Sequence, residues 1–144
     1  MPPAFEVIIC RNESELADCL KVRRKVFIEE QGVSESDDLD GKDAHAIHAL
    51  ARIGGNAVGT TRIRIDGNKA EIERVAVLRE WRKHGIASAL IKALESEARK
   101  RGATEYCLSA QTHATGFYES LGYKKTGNEF MDVEIPHFMM HKTG

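Results

Sequence analysis

Val77-Leu78-Arg79-Glu80-Trp81-Arg82-Lys83-His84-Gly85-Ile86-Ala87 is the stretch on which the reading of this chain turns. A strand-like run, Ala70–Val77, leads into it. A helical stripe leads out of it, with Ala87, Leu90, Ile91, Leu94 and Ala98 recurring on one face. Lys92, Glu95, Lys100 and Arg101 occupy the opposite face, and Gly102 supplies the stop. The first backbone N–H groups of such a helix have no internal partner. The helix dipole favours negative charge at the same place, so a diphosphate would satisfy both. Gly85 and the small Ala87 keep side chains out of the approach, and Arg79, Arg82, Lys83 and His84 add positive charge. The competing reading is a helix start with solvated charges, because a single short motif is weak. Neither a P-loop nor G-x-G-x-x-G is present.

Working outward, Tyr106–Ala110 reads as a strand parallel to Ala70–Val77, because a helix connects them. Upstream, Ala44–Arg52 and Ala57–Ile65 read as strands joined by the hairpin signal Gly54-Gly55-Asn56, and Asp66-Gly67-Asn68 makes the next turn. Glu6–Cys10 reads as a first strand. Asn12-x-x-Glu15 resembles a capping box, and Leu16, Leu20 and Phe27 predict a helix from about Glu13 to Phe27. Gly32–Asp43 is acidic and polar, a loop long enough to carry a function. Downstream come a short helix, His113–Leu121, and two strands, Tyr123–Thr126 and Pro136–His141. With no repeat and no linker, residues 1–144 read as a single α/β domain. Its mixed, mostly antiparallel sheet has about six or seven strands flanked by helices.

Composition narrows the class. A chain of 144 residues, 42% hydrophobic and 30% charged with formal net charge -1, fits an ordinary globular protein. Near-neutral charge points away from nucleic-acid and membrane partners. No apolar run approaches the roughly 20 residues that span a bilayer. Met1-Pro2-Pro3-Ala4-Phe5-Glu6 lacks the pattern of a secretion signal. Cys10, Cys19 and Cys107 are odd in number and widely spaced among apolar neighbours, which predicts reduced, buried thiols in a cytoplasmic protein. No metal site is expected: His45 and His48, three apart on a strand, would face opposite ways.

Arg82-x-x-Gly85-x-Ala87, placed after a strand ending Val75-Ala76-Val77, resembles the phosphate motif of the GNAT N-acetyltransferase superfamily. Gln111-x-x-Ala114-x-x-Phe117-Tyr118-x-x-x-Gly122-Tyr123 resembles a second motif of that family, with Gln111 where Asn is frequent. Val26–Val33, the Asp-rich loop and Ile135-Pro136-His137 resemble a bacterial subgroup. The resemblance implies a sheet splayed between Ala70–Val77 and Tyr106–Ala110, with CoA in the gap and an amine attacking acetyl-CoA directly. It implies cofactor contacts at Val75, Ala76, Val77, Arg82, Lys83, His84, Gly85, Ile86, Ala87, Ser88, Gln111 and Phe117. Tyr118 stands where the family places its general acid.

Glu73 is the expected general base. It shares strand parity with Val75 and Val77, and apolar neighbours would raise its pKa. Glu71 has the same parity and stays open. So does a plain ion pair between either glutamate and Arg62, Arg64 or Arg74. Glu30, His48 and His137 are candidates for the acceptor side, the histidines because imidazole titrates where proton transfer is useful. The acidic loop Glu35–Asp40 is either a lure for a cationic acceptor or a solvated surface. The partners expected are acetyl-CoA and a primary amine, with a homodimer as one candidate assembly. A non-catalytic acyl-CoA-binding domain and an interaction module remain as rivals.

Overall fold

The computed structural model describes residues 4–144; the first three residues, part of the N-terminal stretch read above, lie outside it. The chain opens with strand β1 (Glu6–Ile9) and helix α1 (Glu13–Arg23). Asn12 caps that helix through its side chain, accepting the Glu15 N–H at 2.8 Å, while the Glu15 carboxylate accepts the Arg11 N–H at 2.7 Å. The helix does not stop near Phe27. It runs on as a π-helical stretch, Arg24–Glu30, in which the Gln31 N–H reaches back five residues to the Val26 carbonyl. The expected loop then contains a one-turn helix, α2 (Glu35–Asp38), and a 3-10 turn, Asp43–His45, takes the first residues expected of the strand from Ala44, which starts only at Ile47.

Strands β2 (Ile47–Ile53), β3 (Asn56–Asp66) and β4 (Lys69–Val77) form two hairpins. The first turns on Gly54 and Gly55, both at positive φ, the two-residue type that matches the twist of paired strands. Helix α3 (Ile86–Lys100) leads to β5 (Glu105–Gln111), helix α4 (Thr115–Ser120), and the long hairpin β6 (Lys124–Asp132) and β7 (Ile135–Thr143). Among the described residues a single sheet runs β1-β2-β3-β4-β5-β7-β6, and only the β4–β5 pair in it is parallel. Ile86, Leu90, Ile91, Leu94 and Ala98 of α3 are buried against Ile63, Ile72, Tyr106, Leu108 and Met140. The stripe therefore starts at Ile86, with Ala87 only half-buried. Because Tyr106, Leu108 and Ala110 face α3, the alternate residues Cys107, Ser109 and Gln111 face the other side of the sheet. The thiols divide: Cys19 is buried, whereas Cys10 and Cys107 are partly exposed, and all three are free.

Candidate active site

The parallel ladder between β4 and β5 runs only from Lys69↔Glu105 to Ile72↔Leu108. Beyond it β4 stays with β3 and β5 stays with β7, so their facing edges separate around a cleft of ≈ 670 Å³. A bulge accompanies the parting. Arg62 pairs with Glu73 but Thr60 pairs with Ala76, so β4 carries one extra residue, and Arg74 takes φ 57. The bulge overturns the expected parity: Glu73 shares a face with Ala76, not Val77. The Ala76 side chain packs on Val22 and Val26, and Val77 joins the α3 core.

At the mouth, Lys83 has φ 67 and Gly85 has φ 82, the left-handed region that favours glycine. Gly85 precedes the first turn of α3, no side chain caps that turn, and the first helical bond runs from the Ala89 N–H to the Gly85 carbonyl. The N–H groups of Ile86, Ala87 and Ser88 thus lack the usual helix partner. A Cβ on Gly85 would meet nothing within 4 Å. The glycine serves the backbone angle and the open space beyond it, not a crowded neighbour. Lys83 and His84 are exposed, while the Ile86 side chain is in the core, leaving only its backbone for a ligand.

Arg82 is fully engaged. Its Nε donates to the Val77 carbonyl at 2.9 Å, and its two terminal nitrogens grip the Glu30 carboxylate at 2.8 and 2.7 Å. That hydrogen bond holds the Glu30 carboxyl below its usual range. Glu30, the acceptor-side candidate, lines the cleft with its carboxylate paired to Arg82. Gln111 on the other jaw donates its amide to the Gln31 side chain at 3.0 Å. The end of the π-helical stretch therefore bridges to both sides of the opening. Gln31 escaped the reading of the sequence because its partner lies 80 residues away.

Tyr118 lines the cleft and is 8% exposed. Burial alone raises its pKa well above the ordinary phenol value, so it stays protonated. Phe117 lies edge-on to it at 5.0 Å, outside the cleft lining. Glu73 also lines the cleft, yet it accepts from Arg62 Nε at 3.2 Å and from Arg64 Nε at 2.6 Å. Burial pushes its pKa up, but the two guanidinium groups outweigh burial and the net shift is down. The raised pKa expected of Glu73 belongs to Glu71, through burial and then the charge of Glu73. His48 is not among the cleft-lining residues. Its Nε2 donates to the Asp43 carbonyl at 3.0 Å, and burial, the main cause, lowers its pKa. His137 does line the cleft, 7% exposed.

The acidic loop is split: Glu35 and Asp37 stay exposed, whereas Asp38 and Asp40 turn inward to arginines. Asp38 meets Arg23 at 3.3 Å, Asp40 meets Arg62 at 2.6 Å, and Asp43 meets Arg23 and Arg62 at 2.7 and 2.8 Å. Arg74 adds contacts to Asp38 and Asp40 at 3.3 Å. Arg23 and Arg62 are essentially fully buried, so these carboxylates compensate charges that would otherwise be very costly. The network locks the loop over β3 and β4 and leaves Asp37 as a cleft-lining carboxylate outside it.

The Acetyltransferase (GNAT) domain family matches residues 15–144. The chain belongs to this family of N-acetyltransferases. It is 43% identical to the Bacillus subtilis protein YyaT over 133 residues, 90% of each chain. It is 36% identical to the uncharacterized Bacillus subtilis N-acetyltransferase YjcF, covering 96% of this chain and 99% of that one. Among solved structures, Escherichia coli ElaA superposes with a TM-score of 0.82 at 26% identity, covering 96% and 98% of the two chains. An aminoglycoside 6'-N-acetyltransferase complexed with coenzyme A shares the fold, with a TM-score of 0.76 at 19% identity and 97% and 96% coverage. Among the described residues, no helix is long and apolar enough to cross a membrane.

Proposed function

We propose that this chain transfers an acetyl group from acetyl-CoA to a primary amine by direct attack. The observation that carries the reading is one continuous feature: the parted β4–β5 edges opening beside an uncapped helix N-terminus. Backbone N–H groups of Gly85–Ser88 take the diphosphate, with Lys83 adding positive charge and His84 a ring N–H at the mouth. The pantetheine arm follows the β4 edge at Val75–Val77, opposite Gln111, with the exposed Phe117 left at the rim. Arg82 acts as a strut that holds the turn against β4 and Glu30. A backbone N–H at Ala76 or Val77 receives the developing oxyanion. Tyr118, kept as a phenol by burial, gives its proton to the leaving thiolate. Glu73 stays ionised and, with Glu71, supplies the negative charge that draws an ammonium group to the acceptor face.

Two measurements test this. Above its Kd, CoA should raise the melting temperature with the logarithm of its concentration, about 2.7 kcal/mol of stabilisation at a hundredfold excess over Kd. Incubation with acetyl-CoA and a panel of primary amines should release free CoA thiol and form amide. CoA binding without transfer to any amine would leave an acyl-CoA-binding domain instead. No binding at all would sink both.

A further inference from the structure

His137 has one nitrogen fixed and one open. Its Nδ1 lies 2.7 Å from the Ile135 carbonyl oxygen, which can only accept, so the proton sits on Nδ1. The Phe130 ring stacks on the imidazole at 5.9 Å with a 24° tilt and holds its plane. In the neutral ring Nε2 is then a lone-pair acceptor. It has no partner among the described residues and is not sealed in the interior, as His48 Nδ1 is. His137 lines the cleft and lies on the same face of the sheet as Gln111. A buried side chain with an unpaired acceptor beside a cleft calls for a ligand that donates a hydrogen bond.

The position fits the chemistry. His137 is the β7 partner of Gln111. Counting on from Ile72↔Leu108, Gln111 is level with Val75 and Ala76, where the strands have parted. Glu71 pairs with Cys107 in the closed part of the ladder, and the oxygens of Glu73 are taken by Arg62 and Arg64. We infer that His137 Nε2 is the proton acceptor for the attacking amine, a role that rests on the acetyltransferase reading above. The ammonium first loses a proton to solvent, the neutral amine nitrogen attacks the thioester carbonyl carbon, and the π pair moves to oxygen. The nitrogen becomes cationic, its N–H becomes acidic, and Nε2 takes that proton. The oxygen pair re-forms the carbonyl and expels the thiolate, which takes the Tyr118 proton. Water in the cleft returns the proton from His137 to Tyr118, so amine plus thioester gives amide plus thiol. The charged and titratable groups that share the cleft with the imidazole are Asp132 on β6, His113 and Tyr118 after β5, Glu71, Glu73 and Arg74 on β4, Arg82 in the turn after it, Glu30 on the π-helical stretch, and Asp37, Asp38, Asp40 and Lys42 in the acidic loop.

The test uses the full chain, acetyl-CoA and the amine that the wild-type protein acetylates fastest. His137→Asn keeps an N–H for the Ile135 carbonyl and removes the basic nitrogen. Turnover should fall on the order of 10²–10⁴. The acidic limb of the kcat/KM profile should disappear, while CoA affinity and Tm hold. Imidazole in solution should partly rescue His137→Ala. Should the Asn variant fail to fold, His137→Gln serves in its place. A folded Asn or Gln variant with the wild-type rate and an unchanged acidic limb overturns the inference. So does a 15N NMR spectrum with the proton on Nε2 rather than Nδ1. A wild-type chain that binds CoA but acetylates no amine overturns the transferase reading itself, a separate outcome.

Discussion

Tyr118 sits on a helix of six residues and carries its ring inward, beside Tyr123 at 6.4 Å and Phe117 at 5.0 Å. Replacing it by Phe removes one oxygen and leaves that packing in place. A proton donor to the thiolate is needed only as the C–S bond breaks, so it contributes to the transition state and not to donor binding. Tyr118→Phe should therefore lower turnover on the order of 10²–10⁴. Acetyl-CoA affinity should stay the same, and an acyl donor with a better leaving group should recover part of the loss. Single-turnover kinetics beside a CoA titration would check it. Normal turnover where chemistry limits the rate would return Tyr118 to a packing role. Glu73 shows why the base was less legible. Ile72 and Val75 lie beside it in sequence, as does the charged Arg74, but its contacts are Arg62 and Arg64, from the adjacent strand.

Two turns govern the elements. Gly85 holds φ 82 where α3 begins. Gly85→Val forces a β-branched residue into that region, at about 1–2 kcal/mol, and fills the open space where diphosphate would sit. CoA affinity measured by calorimetry should fall at least tenfold, about 1.4 kcal/mol. The circular dichroism spectrum should remain that of a folded chain, since the cost is local to a turn. Unchanged affinity would move the phosphate site elsewhere. The other turn joins β6 to β7 through Val133 and Glu134, both non-glycine and at φ 45 and 64. A β-branched residue there is an outlier, and the type I′ geometry prefers Asn-Gly. Val133→Asn with Glu134→Gly should relieve about 1–3 kcal/mol of strain and raise Tm. This unusual turn is also why the sequence predicts two short strands, Tyr123–Thr126 and Pro136–His141, where one long hairpin exists.

At the scale of the molecule, buried arginines and the carboxylates around them set the acid limit of stability. Asp40 titrates below its ordinary value of 3.8, first through the Arg62 hydrogen bond. Asp43 is also lowered from 3.8, with burial opposing and the Arg23 and Arg62 bonds prevailing. Glu73 is lowered from 4.5 by the same balance. Groups depressed in the folded state contribute stability that is present above the unfolded pKa and lost as pH falls toward the folded pKa. Glu71, raised from 4.5, works the other way: its contribution is present below that value and lost as pH rises. Three depressed groups outweigh one raised one. Thermal melts should hold a plateau near neutrality and fall steeply below about pH 4. Asp40→Asn should shallow that fall. A Tm unchanged from pH 7 to pH 2 would contradict the network.

The sequence by itself determined what short-range physics controls. The Asn12 cap, the α3 stripe, the Gly54-Gly55 turn and the glycine turn before α3 each depend on residues within one or two helical turns or a hairpin. The order of elements and the parallel β4–β5 pair follow from them, because a helix connection forces a crossover. Only the tertiary structure decided where charge and protons reside. Arg23 reaches Asp38 across 15 positions, and Arg62 reaches Asp40 across 22. One extra residue at Arg74 turns Glu73 away from the face its spacing assigns. Electrostatic energies depend on distance through space and on burial, and neither quantity is set until distant segments have packed together.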